Sequence, residues 1–168
     1  MPLPSIETQS KVATADRFVE HYYDALNKNQ RGQLAQYYCS TSNKLTAASL
    51  TPDISFNGRV ITSVPELQEL LEKQGTPVHF EVLSYDAHPV NPHYIIGAPD
   101  AQAQSDKGDK LSFVVQVTGT VKFGKGDEAT LKSFNESFVM VPHWEAQVKN
   151  APRGLKRWLV ASQNSRYL

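Results

Sequence analysis

Apolar residues recur at spacings of three and four near the start of the chain. Val12, Ala15, Val19, Tyr22 and Leu26 share one side, and Lys11, Arg17, Glu20 and Asp24 occupy the others. This predicts an amphipathic helix over roughly Ile6 to Leu26, broken by Asn27-Lys28-Asn29. A shorter helix is expected around Gly32 to Tyr38, burying Leu34, Tyr37 and Tyr38. Leu45 to Ala47 and Ile54 to Phe56 read as short strands about a Thr51-Pro52-Asp53 turn, followed by the tight-turn dipeptide Asn57-Gly58. Ser63-Val64-Pro65-Glu66 has the capping-box pattern: the serine accepts from the backbone three residues on and the glutamate reaches back. The helix it opens runs from about Val64 to Gln74, buries Leu67, Leu70 and Leu71, and stops at Gly75.

Beyond Gly75 the period changes to two. Strands are expected at Val78 to Tyr85, Tyr94 to Gly97, Leu111 to Phe123, Leu131 to Val141 and Trp158 to Tyr167. The third alternates most clearly, with Leu111, Phe113, Val115, Val117, Val121 and Phe123 on one side and Ser112, Gln116, Thr118, Thr120 and Lys122 mostly on the other. Helices first and strands after give an α+β class, helices packed on one face of a strongly bent antiparallel sheet. The stretch 98–110 has no apolar period and reads as a mobile loop, and 142–157 is a second long insertion. All 168 residues are expected to form one domain.

Composition narrows the function. Seventeen basic and seventeen acidic residues cancel, so no global field attracts a polyanion, and nucleic acid could be met only through a local patch or a partner. The single cysteine, Cys39, forms no intramolecular disulfide, suits a reducing compartment, and reads as a small buried apolar residue. Neither a secretory signal pattern at Met1 to Ser5 nor an apolar run of membrane-spanning length is evident. His79, His88 and His93 are irregularly spaced, and the glycines form no phosphate-cradling motif, so neither metal nor cofactor is expected.

Several strings in order carry a family likeness. Phe18-Val19-Glu20-His21-Tyr22-Tyr23 with Leu34-Ala35-Gln36-Tyr37-Tyr38 resembles the opening helices of nuclear transport factor 2-like proteins. Phe56-Asn57-Gly58-Arg59, Val64 to Leu71 and His88-Pro89-Val90 are similar to the hairpin, third helix and strand junction that follow. Thr118-Gly119-Thr120-Val121-Lys122-Phe123 and Phe134-Asn135-Glu136-Ser137-Phe138 look closer to the small subunits of mRNA export receptors than to the import carrier of Ran. The two insertions resemble those of the fungal type, the mRNA transport regulators. The carrier's Ran-binding acidic loop has no clear counterpart in Gly124-Lys125-Gly126-Asp127-Glu128.

The resemblance implies a cone-shaped, non-enzymatic subunit that pairs sheet against sheet with the homologous domain of the export receptor's large subunit. The pair would carry messenger ribonucleoprotein past phenylalanine-glycine nucleoporins, shuttling between nucleus, pore and cytoplasm. It implies that Arg166 meets a partner aspartate. With Gln116, Thr118, Thr120, Asn135, Ser137, Ser162 and Asn164, Arg166 makes up the expected partner-binding set. Read as residues alone, those hydroxyls and amides serve a solvated sheet face equally well.

Lys149, Arg153, Lys156 and Arg157 face a single acid, Glu145, in the second insertion, and offer either a solvated loop or a phosphate contact to RNA or a pre-ribosomal particle. Two further readings are a homodimeric Ran carrier and a dehydratase or isomerase of the same fold. The second would draw on His21, Tyr22, Asp24, Tyr85, Asp86 and His88, whose spacing gathers no Asp–His dyad on one inward face. No membrane partner is implied.

Overall fold

A computed structural model describes residues 15–28, 31–73, 77–105 and 109–168. The first helix, α1, runs Ala15–Asn27 and buries Ala15, Val19, Tyr22, Tyr23, Ala25 and Leu26, the stripe its periodicity requires. The expected start of this helix at Ile6, with Lys11 and Val12, lies outside the described residues. So do Asn29, Gln74 and the expected stop at Gly75. The second helical piece is a 3₁₀ segment, Arg31–Tyr37, rather than a regular α-helix.

Leu45 to Ala47, expected as strand, is helical and belongs to α2, Asn43–Ala47. Two acceptors at its N-terminus decide this. Ser42 Oγ accepts from the Leu45 N–H at 3.2 Å, and the distant Glu145 accepts from the Lys44 N–H at 2.8 Å and from the Ser42 hydroxyl at 2.6 Å. The hairpin lies instead between β1, Asp53–Phe56, and β2, Arg59–Ile61. Asn57 at φ 48° and Gly58 at φ 83° form its turn, the geometry that favours this dipeptide. Helix α3, Val64–Lys73, starts as its sequence dictates, with the Glu66 N–H donating to Ser63 Oγ at 3.2 Å. The Glu66 carboxylate, however, reaches one residue beyond the box, to the Thr62 N–H at 2.9 Å.

Strand β3, Val78–Asn91, is longer than expected and runs through Tyr85, His88 and Pro89 without a turn. It is an edge strand, so Pro89 interrupts no second ladder. Register shifts at Val82/Ser84 and Pro89/Asn91 mark irregularities along it. Tyr94 to Gly97 is not a strand: Gly97 sits at φ 78° and the Ala98 N–H turns back to the Ile95 carbonyl at 3.0 Å. Then come α4, Asp100–Gln104, β4, Ser112–Phe123, β5, Thr130–Pro142, and β6, Trp158–Tyr167.

The sheet order is β2-β1-β6-β5-β4-β3. Every neighbouring pair is antiparallel except β1 with β6, so the sheet is mixed where a wholly antiparallel one was expected. The first strand is laid alongside the last, and that is what makes the parallel pair. Helices α1 and α3 pack on one side, over Phe80, Phe113, Val115, Val117, Phe134, Phe138 and Val160. Gly119 has a specific reason to lack a side chain. A Cβ there would lie 2.1 Å from the Glu81 carbonyl and 2.8 Å from the Phe134 ring.

The segments 98–110 and 142–157 are braced against each other. Gln102 donates to the Trp144 carbonyl at 3.4 Å, and Gln147 both accepts from the Asp109 N–H and donates to its carbonyl, at 2.8 and 2.9 Å. The Trp144 indole N–H reaches the Ile96 carbonyl, just before the first segment, at 2.8 Å. Trp144 also joins Cys39, Leu45, Val141 and Leu159 in a second apolar cluster. Burial there pushes the Cys39 thiol up to about 11, which keeps it protonated and unreactive at neutral pH.

Candidate docking face

Alternation along β4, β5 and β6 sends polar side chains to both sides of the sheet, and the two sides treat them differently. On the helix side, Glu136 falls between Phe134 and Phe138 and is buried. Tyr23 donates to one carboxylate oxygen at 2.7 Å; Ser165, at 2.6 Å, and Gln163, at 2.9 Å, donate to the other. Gln163 accepts from Tyr38 at 2.5 Å, and the Tyr38 and Tyr22 hydroxyls meet at 2.8 Å. Burial raises the Glu136 pKa above the ordinary carboxylate value, against the pull of Ser165, Tyr23 and Gln163. Burial likewise raises the hydroxyls of Tyr22, Tyr23 and Tyr38, so none offers a phenolate near neutral pH. The space among Tyr22, Leu67, Glu136 and Gln163 leaves no room for a water molecule. Sequence reasoning missed this network, although a glutamate in phase with Phe134 and Phe138 was its visible signal.

The opposite side is turned outward. Register places Ser84, Thr118, Asn135 and Arg166 in one row across β3, β4, β5 and β6. Asp86, Gln116, Ser137, Asn164 and Ser55 form the next, reaching β1. A third row holds His88, Val114, Val139, Ser162 and Asp53, while Thr120 pairs with Ser133 in a fourth. All eight residues of the partner-binding set therefore share one face. Ser84 and Thr118 bond each other at 2.7 Å. Among the described residues, the side chains of Gln116, Thr120, Asn135, Ser137, Ser162 and Asn164 make no hydrogen bond, and Arg166 is exposed and joins no ion pair.

Sequence reasoning also missed Val114 and Val139, adjacent and half-buried on this face between His88 and Ser162. Their apolar surface within a polar surround is the composition of a protein interface. Val139 keeps the outward phase of Asn135 and Ser137 on β5, but as an apolar residue beside Phe138, Met140 and Val141 it reads in the sequence as core. The register shift next to it leaves its extra residue, Ala161, on β6.

The four basic residues of the second insertion differ in what they meet. Lys149 and Arg153 are exposed, Arg157 is paired with Asp109 at 2.6 Å, and the Lys156 ammonium lies 5.2 Å from the centroid of the Tyr37 ring. The residues weighed for catalysis are also dispersed. His21 is exposed on α1, Asp24 is paired with Lys28 at 3.0 Å, Tyr22 is buried, and Asp86 and His88 face outward on β3. Among the described residues, no group of three or more His, Cys, Asp or Glu could hold a metal ion, and no helix is long and apolar enough to cross a membrane.

The family model for the nuclear transport factor 2 (NTF2) domain matches residues 14–147. Among solved structures, the chain is similar to one in a complex of a Sac3N peptide bound to Mex67:Mtr2. The identity there is 28%, covering 93% of this chain and 98% of that one, with a TM-score of 0.83. It is similar to a chain of the Chaetomium thermophilum Mex67 NTF2-like domain complexed with Mtr2, at 29% identity, coverage of 93% and 97%, and a TM-score of 0.82. A structure of Mtr2 gives 27% identity, coverage of 93% and 98%, and a TM-score of 0.78. No curated protein sequence matches the chain.

Proposed function

Because the chain belongs to the nuclear transport factor 2 (NTF2) domain family, we propose that it is the small, non-enzymatic subunit of a heterodimeric nuclear mRNA export receptor. Its outward sheet face docks on the NTF2-like domain of the large subunit. The observation that carries this reading is the contrast within one sheet. Polar groups turned inward are bonded to one another, whereas among the described residues the outward set, Thr118 excepted, makes no side-chain hydrogen bond and adjoins the apolar pair Val114 and Val139. Near full-length likeness to chains from Mex67:Mtr2 structures supports the same reading.

Arg166 lies at the end of the last strand, next to the Asn57-Gly58 turn. A guanidinium there offers a two-point bond to a partner carboxylate that lysine would reproduce poorly. The assembled pair carries messenger ribonucleoprotein past phenylalanine-glycine nucleoporins, shuttling between nucleus and cytoplasm through the pore. Lys149 and Arg153 remain available for phosphate of RNA or a pre-ribosomal particle. Around Tyr22, Leu67 and Gln163 the Glu136 carboxylate is bonded to protein donors with no space left beside it, so this buried acid offers no base to a substrate, which argues against the dehydratase or isomerase reading.

The test is the mass in solution of the full chain, 18.7 kDa, alone and mixed with the NTF2-like domain of the large subunit. The expected species in the mixture contains one copy of each. A stable homodimer that ignores the added domain would support a carrier of the Ran type and remove the export assignment.

A further inference from the structure

A second feature lies on the helix side of the sheet, away from the docking face. A cavity of about 210 Å³ opens between α1 and the strands. Its floor is Phe113, Met140 and Trp158, and its walls are Phe18 and Tyr37. The Trp158 indole N–H is already given to the Leu111 carbonyl at 3.0 Å, so the ring presents an apolar surface. Arg17, His21, Lys156 and Arg157 also line it, and among the described residues no carboxylate lines the opening. Arg157 is paired with Asp109 at 2.6 Å, and Asp24, whose charge adds to the burial that raises the Tyr37 pKa, is paired with Lys28 at 3.0 Å. Arg17 and Lys156 therefore set the local field.

We propose that this cavity is a peptide-docking site that takes one large apolar side chain carried between carboxylates. Volume argues for a side chain rather than a free metabolite, since small-molecule pockets start near ~300 Å³. The absence of carboxylates at a rim holding two cations argues for flanking acids. A nucleic-acid base fits less well, because the floor offers no free donor with which to bond its edge. The opening lies on the opposite side of the sheet from Arg166 and Gln116, so the site is usable while the outward face is covered, and it does not depend on the docking reading.

The experiment titrates the full chain against a fluorescein-labelled peptide, Gly-Asp-Asp-Phe-Asp-Asp-Gly, following anisotropy and the Trp158 indole resonance. Saturable binding with a shift of that resonance is expected. Exchanging the peptide's aspartates for asparagines should weaken binding at least tenfold, as should the double variant R17E/K156E, both of whose positions retain solvent contact. Arg166→Ala should leave it unchanged. The proposal is overturned by no saturable binding, by equal binding of the neutral peptide, by loss on Arg166→Ala, or by a uridine decamer that displaces the peptide at lower concentration.

Discussion

The two faces of strands β4 to β6 carry comparable polar side chains and differ in what those side chains meet. Inward, Glu136, Gln163 and Ser165 are bonded to one another and to Tyr22, Tyr23 and Tyr38, so their polarity is satisfied within the fold. Outward, Gln116, Asn135, Ser137, Asn164 and Arg166 are held by their backbones alone among the described residues. A polar residue in a strand therefore says little about function by itself. Whether its hydrogen-bonding capacity is already used decides whether a partner has anything to gain.

The contrast breaks first at its inner side. Glu136→Ala leaves three buried donors, on Tyr23, Gln163 and Ser165, without their acceptor. Unfolding in denaturant should show a loss of about 3 kcal/mol. Affinity of the remaining folded protein for the large subunit should hardly change. The outer face should behave in reverse. Arg166→Ala should cost about 3 kcal/mol of binding, roughly a hundredfold in Kd by calorimetry, while stability stays within about 0.5 kcal/mol.

A smaller effect separates the faces by pH. Burial raises the Glu136 pKa in the folded protein above its unfolded value of about 4.3. The folded state thus holds this proton more tightly, and its contribution is fully present below the unfolded pKa and is lost as pH rises through the folded one. Glu136→Gln should abolish that downward slope when unfolding free energy is followed from acid to neutral pH, and a variant that keeps the slope would assign it to another group. Glu145 acts oppositely. Despite partial burial, bonds from Ser42 and the Lys44 N–H hold its pKa below the ordinary value, so its contribution fades as pH falls through that depressed pKa. Last and smallest, replacing Lys149 and Arg153 by glutamine should flatten the salt dependence of RNA binding by about 0.7 per residue on a log–log plot. An unchanged slope would remove them from any phosphate contact.

Much of this was legible along the chain. The 3.6 period of α1, the Asn57-Gly58 turn, the Ser63 cap and the alternation of β4 all express local rules, and the structure follows them. What escaped was set at a distance. Leu45 is helical because Glu145, a hundred positions away, secures the start of α2. Pro89 stays in β3 because that strand is an edge, and the parallel pair arises where the first strand, β1, lies beside the last, β6. The docking set was legible as a list of polar strand positions. The apolar pair beside it was not, since Val114 and Val139 become neighbours only through the β4–β5 register.

The most direct test uses methyl-labelled valine, threonine and methionine in this chain, mixed with the protonated NTF2-like domain of the large subunit. Saturating the partner's protons should attenuate the methyl signals of Val114, Thr118, Thr120 and Val139 and spare those of Val115, Val117 and Met140 on the other side of the same sheet. Attenuation confined to the helix side, or none at all, would contradict the account.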